Sequence, residues 1–468
     1  MSLEPSYDLA IIGSGSAAFA AAIAATEAGA STVLIERDLI GGTCVNIGCV
    51  PSKALIAGAT GYYKSFNQKI SGISGDKPRL SMKDLVNYKT QLVGKLRQDK
   101  YIDLAKLYDF PIVVGSATFN ESGNLEVDGK TIVAKNYLIA TGASPYIPSF
   151  EGLDNVEYLT STTALELTTV PKTLTVIGAN AVGLELAQMF LMLGAKVTLI
   201  EAKDRIAPFE EPEISATLNN IFVKEGMDIV TGAKIIKLSK SGSKNVVEYE
   251  FKGQTYSVAG DKLLIATGRR ANTNDLNLEN VGVKVDLIGN VIVNDELQTD
   301  NPQVFAAGDV TGHPQFVYVA GHHGKMVVDN AIYKLHRKVD YKSLPKVTFT
   351  VPNIASVGMT AQQAETAGIE YRYKVLDLSQ VPRALVENSI EGLVKLVIET
   401  RSQKILGIHM LADNASEAIL AGVYAIDSGY TVEKLANSWT PYLTMAESIK
   451  LVAQSFNKDV ATLSCCAS

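Results

Sequence analysis

The chain has 468 residues, 47% of them hydrophobic, and a net charge of −6 spread along its length, enough for about three domains of ~150 residues each. No basic stripe points to nucleic acid and no charge block to a disordered tail, so small-molecule partners are expected. Glu4 and Asp8 stand where a secretory signal needs positive charge, and the longest small-apolar run, Ala17 to Ala25, falls short of the ~20 residues of a membrane span, so a cytoplasmic protein with no membrane insertion is expected.

The first predicted element is a βαβ unit: an apolar strand, YDLAII, a Gly-rich turn, an Ala-rich helix and a second strand, TVLIE. The turn Gly13-Ser14-Gly15-Ser16-Ala17-Ala18 fits the dinucleotide pattern. Its first glycine allows the tight turn, its second lets the backbone approach a pyrophosphate, and Ala18 packs close to the sheet. Glu36, ending the second strand, can accept hydrogen bonds from a ribose diol.

GGTCVNIGCVPSKALI follows. The chain has only four cysteines, in two close pairs, Cys44 with Cys49 and Cys465 with Cys466. In a reducing compartment such pairs serve redox or metal chemistry rather than a disulfide scaffold. Cys44 and Cys49, in a Gly-rich loop ahead of a predicted helix, can close a small disulfide and reopen it, and the helix N-terminus with Lys53 would favour the Cys49 thiolate.

The βαβ pattern returns in TLTVIGANAVGLELAQMFLMLGAKVTLIEAKDR, where Gly178 opens the turn, Gly183 closes it and Glu201 takes the place of Glu36. Two dinucleotide sites are implied. The second glycine is replaced by Asn180, whose side chain would crowd a pyrophosphate. The strand-like segments YLIATG and LLIATG each follow one unit, and VFAAGDVTG ends an apolar strand at Gly308-Asp309, where an acid can meet a ligand. His322 and His323 are expected on a helix surface and not as ligands. From about Tyr341 the segments GLVKLVIE, KILGIHML and ASEAILAGVYAIDSGY predict an α+β domain used for assembly.

GGTCVNIGCVPSK, the two turns, both ATG segments and AAGD resemble the flavoprotein pyridine nucleotide-disulfide oxidoreductases over nearly the whole chain. The resemblance implies an α/β fold with two Rossmann-like dinucleotide-binding domains, one for FAD in 1–150 and 271–340 and one for NAD(P)H in 151–270. It also implies an α+β C-terminal dimerisation domain in 341–468, ending in the Cys-Cys tail, and a homodimer whose active sites are shared between subunits. By position, Gly13, Gly15, Ala18 and Glu36 would hold the adenosine and pyrophosphate half of FAD, with Thr43, Ala117, Thr141, Gly142, Asp309 and Val317 lining the rest. Gly178, Val182, Gly183, Glu201 and Gly268 would hold the nicotinamide nucleotide. Cys49 would be the thiolate against the flavin and Cys44 the outer thiol, with Lys53 and Glu185 as an ion pair beside the ring. Glu201 argues for NADH and Lys203 with Arg205 for NADPH, so both stay open.

Family members that cleave organic disulfides protonate the departing thiolate with a histidine in an H-P-T-x-x-E pattern. Aligned on Glu447, this chain keeps Thr444 but has Tyr442 at the histidine position, and a tyrosine, with an ordinary pKa of about 10, is a poor proton shuttle at neutral pH. Thiolates select soft metals, and Hg(II) suits two of them. The C-terminal stretch TPYLTMAESIKLVAQSFNKDVATLSCCAS is similar to that of the mercury-handling members, in which adjacent cysteines fetch Hg(II) and pass it inward. The resemblance then implies that Cys465 and Cys466 of one subunit take Hg(II) from small thiols. Cys44 and Cys49 of the other receive it by ligand exchange, near Tyr101 and Tyr442, for reduction to Hg(0). The alternatives are a thiol-disulfide reductase, of the thioredoxin reductase or dihydrolipoamide dehydrogenase kind, and a flavoprotein that only sequesters soft metals.

Overall fold

Leu9, Ala10 and Ile11 are all fully buried, although neighbouring residues of a strand point to opposite faces. Such a strand needs cover on both sides, the condition of a parallel sheet clad on each face. The computed structural model, which describes residues 6–73 and 75–458, meets that condition in a first unit made of Met1–Ala54, Asp84–Ile147 and Gly268–Val339. Its main sheet runs in the order Val304–Ala306, Ala134–Ile139, Tyr7–Ile12, Thr32–Glu36, Ile112–Val114, every neighbouring pair parallel. Leu9, Ile11, Leu34 and Leu138 pack with the helices Ser16–Glu27 and Val317–Ala331. Ala10, Ile12, Val33 and Ile35 pack instead with Phe119, Leu125 and Val127 of a small antiparallel sheet. Each fully buried leucine or isoleucine contributes about 1.5–3 kcal/mol relative to exposure.

A second unit comprises Leu55–Lys83, Pro148–Thr267 and Asp340–Ser468. Here a parallel sheet runs in the order Asp228–Val230, Lys196–Ile200, Thr173–Ile177, Lys262–Ile265, Tyr158–Leu159. A three-stranded antiparallel meander, Lys234–Ser241, Lys244–Phe251 and Gln254–Gly260, is inserted before Lys262–Ile265. From Pro345 the architecture becomes α+β. Five antiparallel strands lie in the order Pro345–Thr348, Asn353–Gly358, Ile405–Ala412, Leu393–Glu399, Tyr371–Asp377, and the helices Ala415–Asp427 and Glu447–Gln454 close an apolar core around Ile408, Met410, Ile419 and Val452.

The fold class is therefore the expected one, two Rossmann-like α/β parts and an α+β C-terminal part. No helix of the described residues is long and apolar enough to cross a membrane. Cys465 and Cys466, to which the sequence assigns metal capture, lie outside the described residues. One expectation is corrected: His322 is exposed, but His323 is fully buried, because adjacent helical residues point in different directions and only one of the two can face solvent here.

Candidate active site

Strand Thr32–Glu36 delivers the chain into the cysteine loop. A Cβ on Gly42 would stand 2.6 Å from the Cα of Gly15, so this loop and the first Gly-rich turn meet backbone to backbone. The short helix Gly42–Asn46 carries Cys44, and the helix Cys49–Phe66 begins at Cys49 itself, which puts that sulfur at the end where helical amides lack carbonyl partners. Asn46 fixes the loop by donating to the carbonyls of Ile40 and Gly42, each at 3.0 Å, and by accepting from Arg97 at 3.2 Å.

Neither cysteine of the loop is in a disulfide; Cys44 is half-buried and Cys49 exposed. The hydrogen bond between Cys44 and the Cys49 sulfur, followed by burial and by negative charge on Cys49, holds the Cys44 thiol far above the usual thiol range. The pair therefore gives up its first proton from Cys49 and keeps the second on Cys44.

The Lys53 charge acts on Cys44, opposing the upward shift, and three further groups of the first unit bear on these thiols. A π-helix, Gln98–Ile102, carries Tyr101, and such turns are frequent at functional sites. The Tyr101 ring lies edge-on to Phe19 with centroids 4.8 Å apart, and its hydroxyl shares a hydrogen bond with the Ser16 side chain. Burial first, then negative charge on the cysteine pair, raises its pKa, so the phenol stays neutral. Tyr318, in the first turn of Val317–Ala331, is raised in the same way by burial and by Cys49. Arg269 is buried enough to be pulled below its ordinary pKa, a shift opposed by Asp309 and then by Cys49. Its guanidinium lies 3.7 Å from the Asp309 carboxylate and donates to the Ala143 carbonyl, tying the strand after the second ATG segment to the strand after the first, with which it pairs antiparallel. The sequence reading assigned no role to Arg269 or Tyr318. The only signal for them was position, one directly after an ATG segment and the other beside Val317.

The two dinucleotide turns are built alike. Gly13 and Gly178 hold left-handed backbone at φ 112° and 104°, and neither following helix, Ser16–Glu27 or Ala181–Met192, has a side-chain cap on its first amides. Asn180 is the N-cap of the second, at φ −100° and ψ −173°, an extended conformation open to any residue, so its backbone carries no strain. Glu36 accepts from Asp38 N–H at 2.8 Å and from the Ser14 hydroxyl. Glu201 accepts from Ala179 N–H at 2.6 Å and Lys203 N–H at 2.8 Å. Arg205 is committed to the carbonyls of Pro208 and Glu210, at 3.0 and 3.4 Å, whereas Lys203 is exposed above the Phe209 ring at 5.4 Å.

The remaining predicted residues are placed as follows. Thr43 sits in the Cys44 helix, and Ala117 is buried at the start of its strand. Thr141 donates its hydroxyl to Asn272 O at 2.7 Å, and Gly142 O accepts from Asn272 N–H at 3.0 Å. Val317 opens its helix, Gly268 has φ 136°, Val182 is exposed and Gly183 buried. Lys53 belongs to the first unit and Glu185 to the second, where the buried Glu185 carboxylate accepts from Phe349 N–H at 2.8 Å. Tyr442 is 47% exposed on a pinned turn, since the next residue, Leu443, donates its N–H to Glu447 at 3.1 Å and accepts from Arg383 at 3.3 Å.

Residues 7–324 match the family model "Pyridine nucleotide-disulphide oxidoreductase", and residues 344–453 match the dimerisation domain of the same family. The chain belongs to the pyridine nucleotide-disulphide oxidoreductase family. It is 51% identical to a mercuric reductase from Streptomyces lividans, covering 98% of both chains. To a mercuric reductase from Staphylococcus aureus it is 45% identical, over 98% of this chain and 84% of that one. Among solved structures it is similar to the HOCl-induced flavoprotein disulfide reductase RclA from Escherichia coli, at 30% identity and a TM-score of 0.85 over 97% of this chain and 100% of that one. The Cu(II) complex of that reductase is similar as well, at 29% identity and a TM-score of 0.86 over 96% and 100%.

As a family member the chain is an FAD-dependent oxidoreductase that draws electrons from NAD(P)H. The residues present fit FAD: the backbone approach of Gly15 to Gly42, the uncapped amides of Ser16–Glu27 and the Glu36 carboxylate form the cradle a dinucleotide requires. Ala181–Met192 and Glu201 offer an uncapped helix start and a carboxylate to a nicotinamide nucleotide, without the close backbone approach of the first turn.

Proposed function

We propose that this flavoprotein reduces Hg(II) to Hg(0) with NAD(P)H, in the cytoplasm and as a homodimer. One observation carries the reading: the thiolate and thiol of Cys49 and Cys44 form a hydrogen-bonded pair beside the neutral phenol of Tyr101, in a chain that resembles mercuric reductases along its whole length. Two soft sulfurs suit a linear, soft cation. Cys465 and Cys466 of one protomer capture Hg(II) from a small-thiol complex, their two protons leaving with the two displaced thiols. The Cys49 thiolate of the other protomer then displaces the first tail sulfur. Cys44 displaces the second, its proton passing to the departing tail thiolates. Tyr101 and Tyr442 offer phenol oxygens near the ion without trapping it. Bound FAD supplies a two-electron relay from NAD(P)H. The balance is NAD(P)H plus Hg(II) giving NAD(P)⁺, a proton and Hg(0).

A dimer is supported by the match to a dimerisation domain and by the large apolar side chains left exposed in that part of one protomer, Leu420, Tyr424 and the single Trp439. The test is NAD(P)H oxidation in excess small thiol. Hg(II) should stimulate it and release volatile mercury. Stoichiometric binding without oxidation would point to sequestration, and faster turnover on thioredoxin, lipoamide or Cu(II) would move the function to those acceptors. Replacing Cys465 and Cys466 with Ala should slow turnover of thiol-complexed Hg(II) at low concentration while flavin reduction by NAD(P)H keeps its rate. Unchanged turnover in that variant would remove the delivery role.

A further inference from the structure

His323 does not belong on a core helix face unless something there needs a polar atom. It is fully buried in Val317–Ala331, and its Nδ1 lies 3.2 Å from the backbone N–H of Gly308, which donates to it. That places the ring hydrogen on Nε2 and leaves Nδ1 as the acceptor. Gly308 is where the sheet ladder ends. Ala307 N–H is still paired with Ile139 O at 3.0 Å, but Gly308 has turned into left-handed backbone at φ 76°, and its carbonyl is taken by the Thr311 hydroxyl at 2.8 Å. A Cβ at Gly308 would stand 3.2 Å from Ala320 Cβ and 3.5 Å from Ala17 Cβ, so the turn is wedged between the first turns of the helices Ser16–Glu27 and Val317–Ala331. Asp309 comes next, held 3.7 Å from Arg269.

We propose that His323 is a positioning residue for FAD, which by accepting the Gly308 N–H fixes the turn that aims Asp309 into the flavin site. The ring reaches the cofactor only through the backbone. A strand that ends in a left-handed residue leaves a buried N–H with no ladder partner, and such a group must find an acceptor. Here a side chain from the following helix supplies it. Burial, and then the neighbouring His313 and His322, push the His323 pKa down to about 4, and the His313 ring stands edge-on at 5.8 Å. The contribution is full above the ordinary histidine pKa of about 6.5 and drains away as pH falls toward the folded-state value, because protonated Nδ1 would face the Gly308 N–H as a second donor.

The inference rests on FAD binding by the family and not on the metal substrate, so its readout is the FAD affinity of the apoprotein, titrated by flavin fluorescence. Three proteins are compared between about pH 4 and pH 8: wild type, His323→Ala and His323→Asn. Asparagine can place Oδ1 where Nδ1 was and accept the same N–H, but it takes up no proton. At about pH 7.5 His323→Ala should bind FAD on the order of tenfold more weakly, while His323→Asn should stay within about twofold of wild type. As pH falls to about 4, where His323 takes up its proton, the order should reverse, with His323→Asn binding more tightly than wild type. Equal affinity of wild type and His323→Ala overturns the proposal, as does an acid limb for His323→Asn that coincides with that of wild type. Should His323→Ala fail to fold, the acid limbs of the other two proteins decide alone.

Discussion

Cys49→Ser is expected to lower Hg(II)-dependent NAD(P)H oxidation by about 10³-fold or more, with flavin reduction by NAD(P)H retained. A serine hydroxyl at the start of Cys49–Phe66 keeps the volume but gives up both a low-energy anion and a soft ligand. Cys44→Ser is expected to be milder. A serine at 44 can still donate to the Cys49 sulfur, as the Cys44 thiol does, so the first ligand exchange proceeds and the second must borrow an external thiol. The asymmetry between the two variants is the informative quantity, because the hydrogen bond assigns the charge to one sulfur and the proton to the other. Stopped-flow reduction followed by mercury-release kinetics would separate the steps. Cys49→Ser retaining more than about a tenth of wild-type turnover would mean that the metal is reduced elsewhere.

What the sequence made legible follows from periodicity and backbone geometry. The apolar runs at Leu9 to Ile12 and Thr173 to Ile177 became central strands because both faces are covered, and the turns at Gly13 and Gly178 are left-handed as their glycines require. The cysteine loop was legible because its residue types have no common structural use. Arg269 and Tyr318 were not legible, since they feel the charge of Cys49 from a strand and a helix remote in sequence, and spacing carries no information across such distances. His323 was misread because residue type was weighed above position. In Val317–Ala331 the buried stripe is Val319, His323, Met326, Val327 and Asn330, a helical repeat on which the histidine falls. The π-helix at Gln98–Ile102 leaves no pattern in QDKYI, yet it sets where Tyr101 points.

Lys395 is the same kind of clue in a strand: one cation inside the apolar run of Leu393–Glu399. Its ammonium is buried and donates to Glu211 at 2.9 Å and to both oxygens of Glu213 at 2.9 and 2.8 Å, with the Tyr373 ring centroid 4.1 Å away. Burial pulls its pKa down, but the hydrogen bonds to Glu213 and Glu211 outweigh it and the net shift is upward. On the lysine side the contribution is full below the ordinary lysine pKa of about 10.4 and is lost as pH rises beyond it. Lys395→Met is expected to destabilise the protein by about 3–5 kcal/mol, because it strands a buried carboxylate. Glu211, the N-cap of Pro212–Lys224, would keep only the Ala361 N–H at 2.6 Å and the more distant His409 ring at 3.8 Å. Adding Glu211→Gln should recover at least half of the loss, since the orphaned charge is then gone. Chemical denaturation of the holoenzyme measures the first effect and a double-mutant cycle the second. The consequence for function runs through the loop ahead of Glu211, where Arg205 holds the Pro208 and Glu210 carbonyls beside Lys203. Loosening its anchor should raise KM for NAD(P)H while FAD content is unchanged. A KM equal to that of wild type, with stability lost, would confine Lys395 to holding the core together.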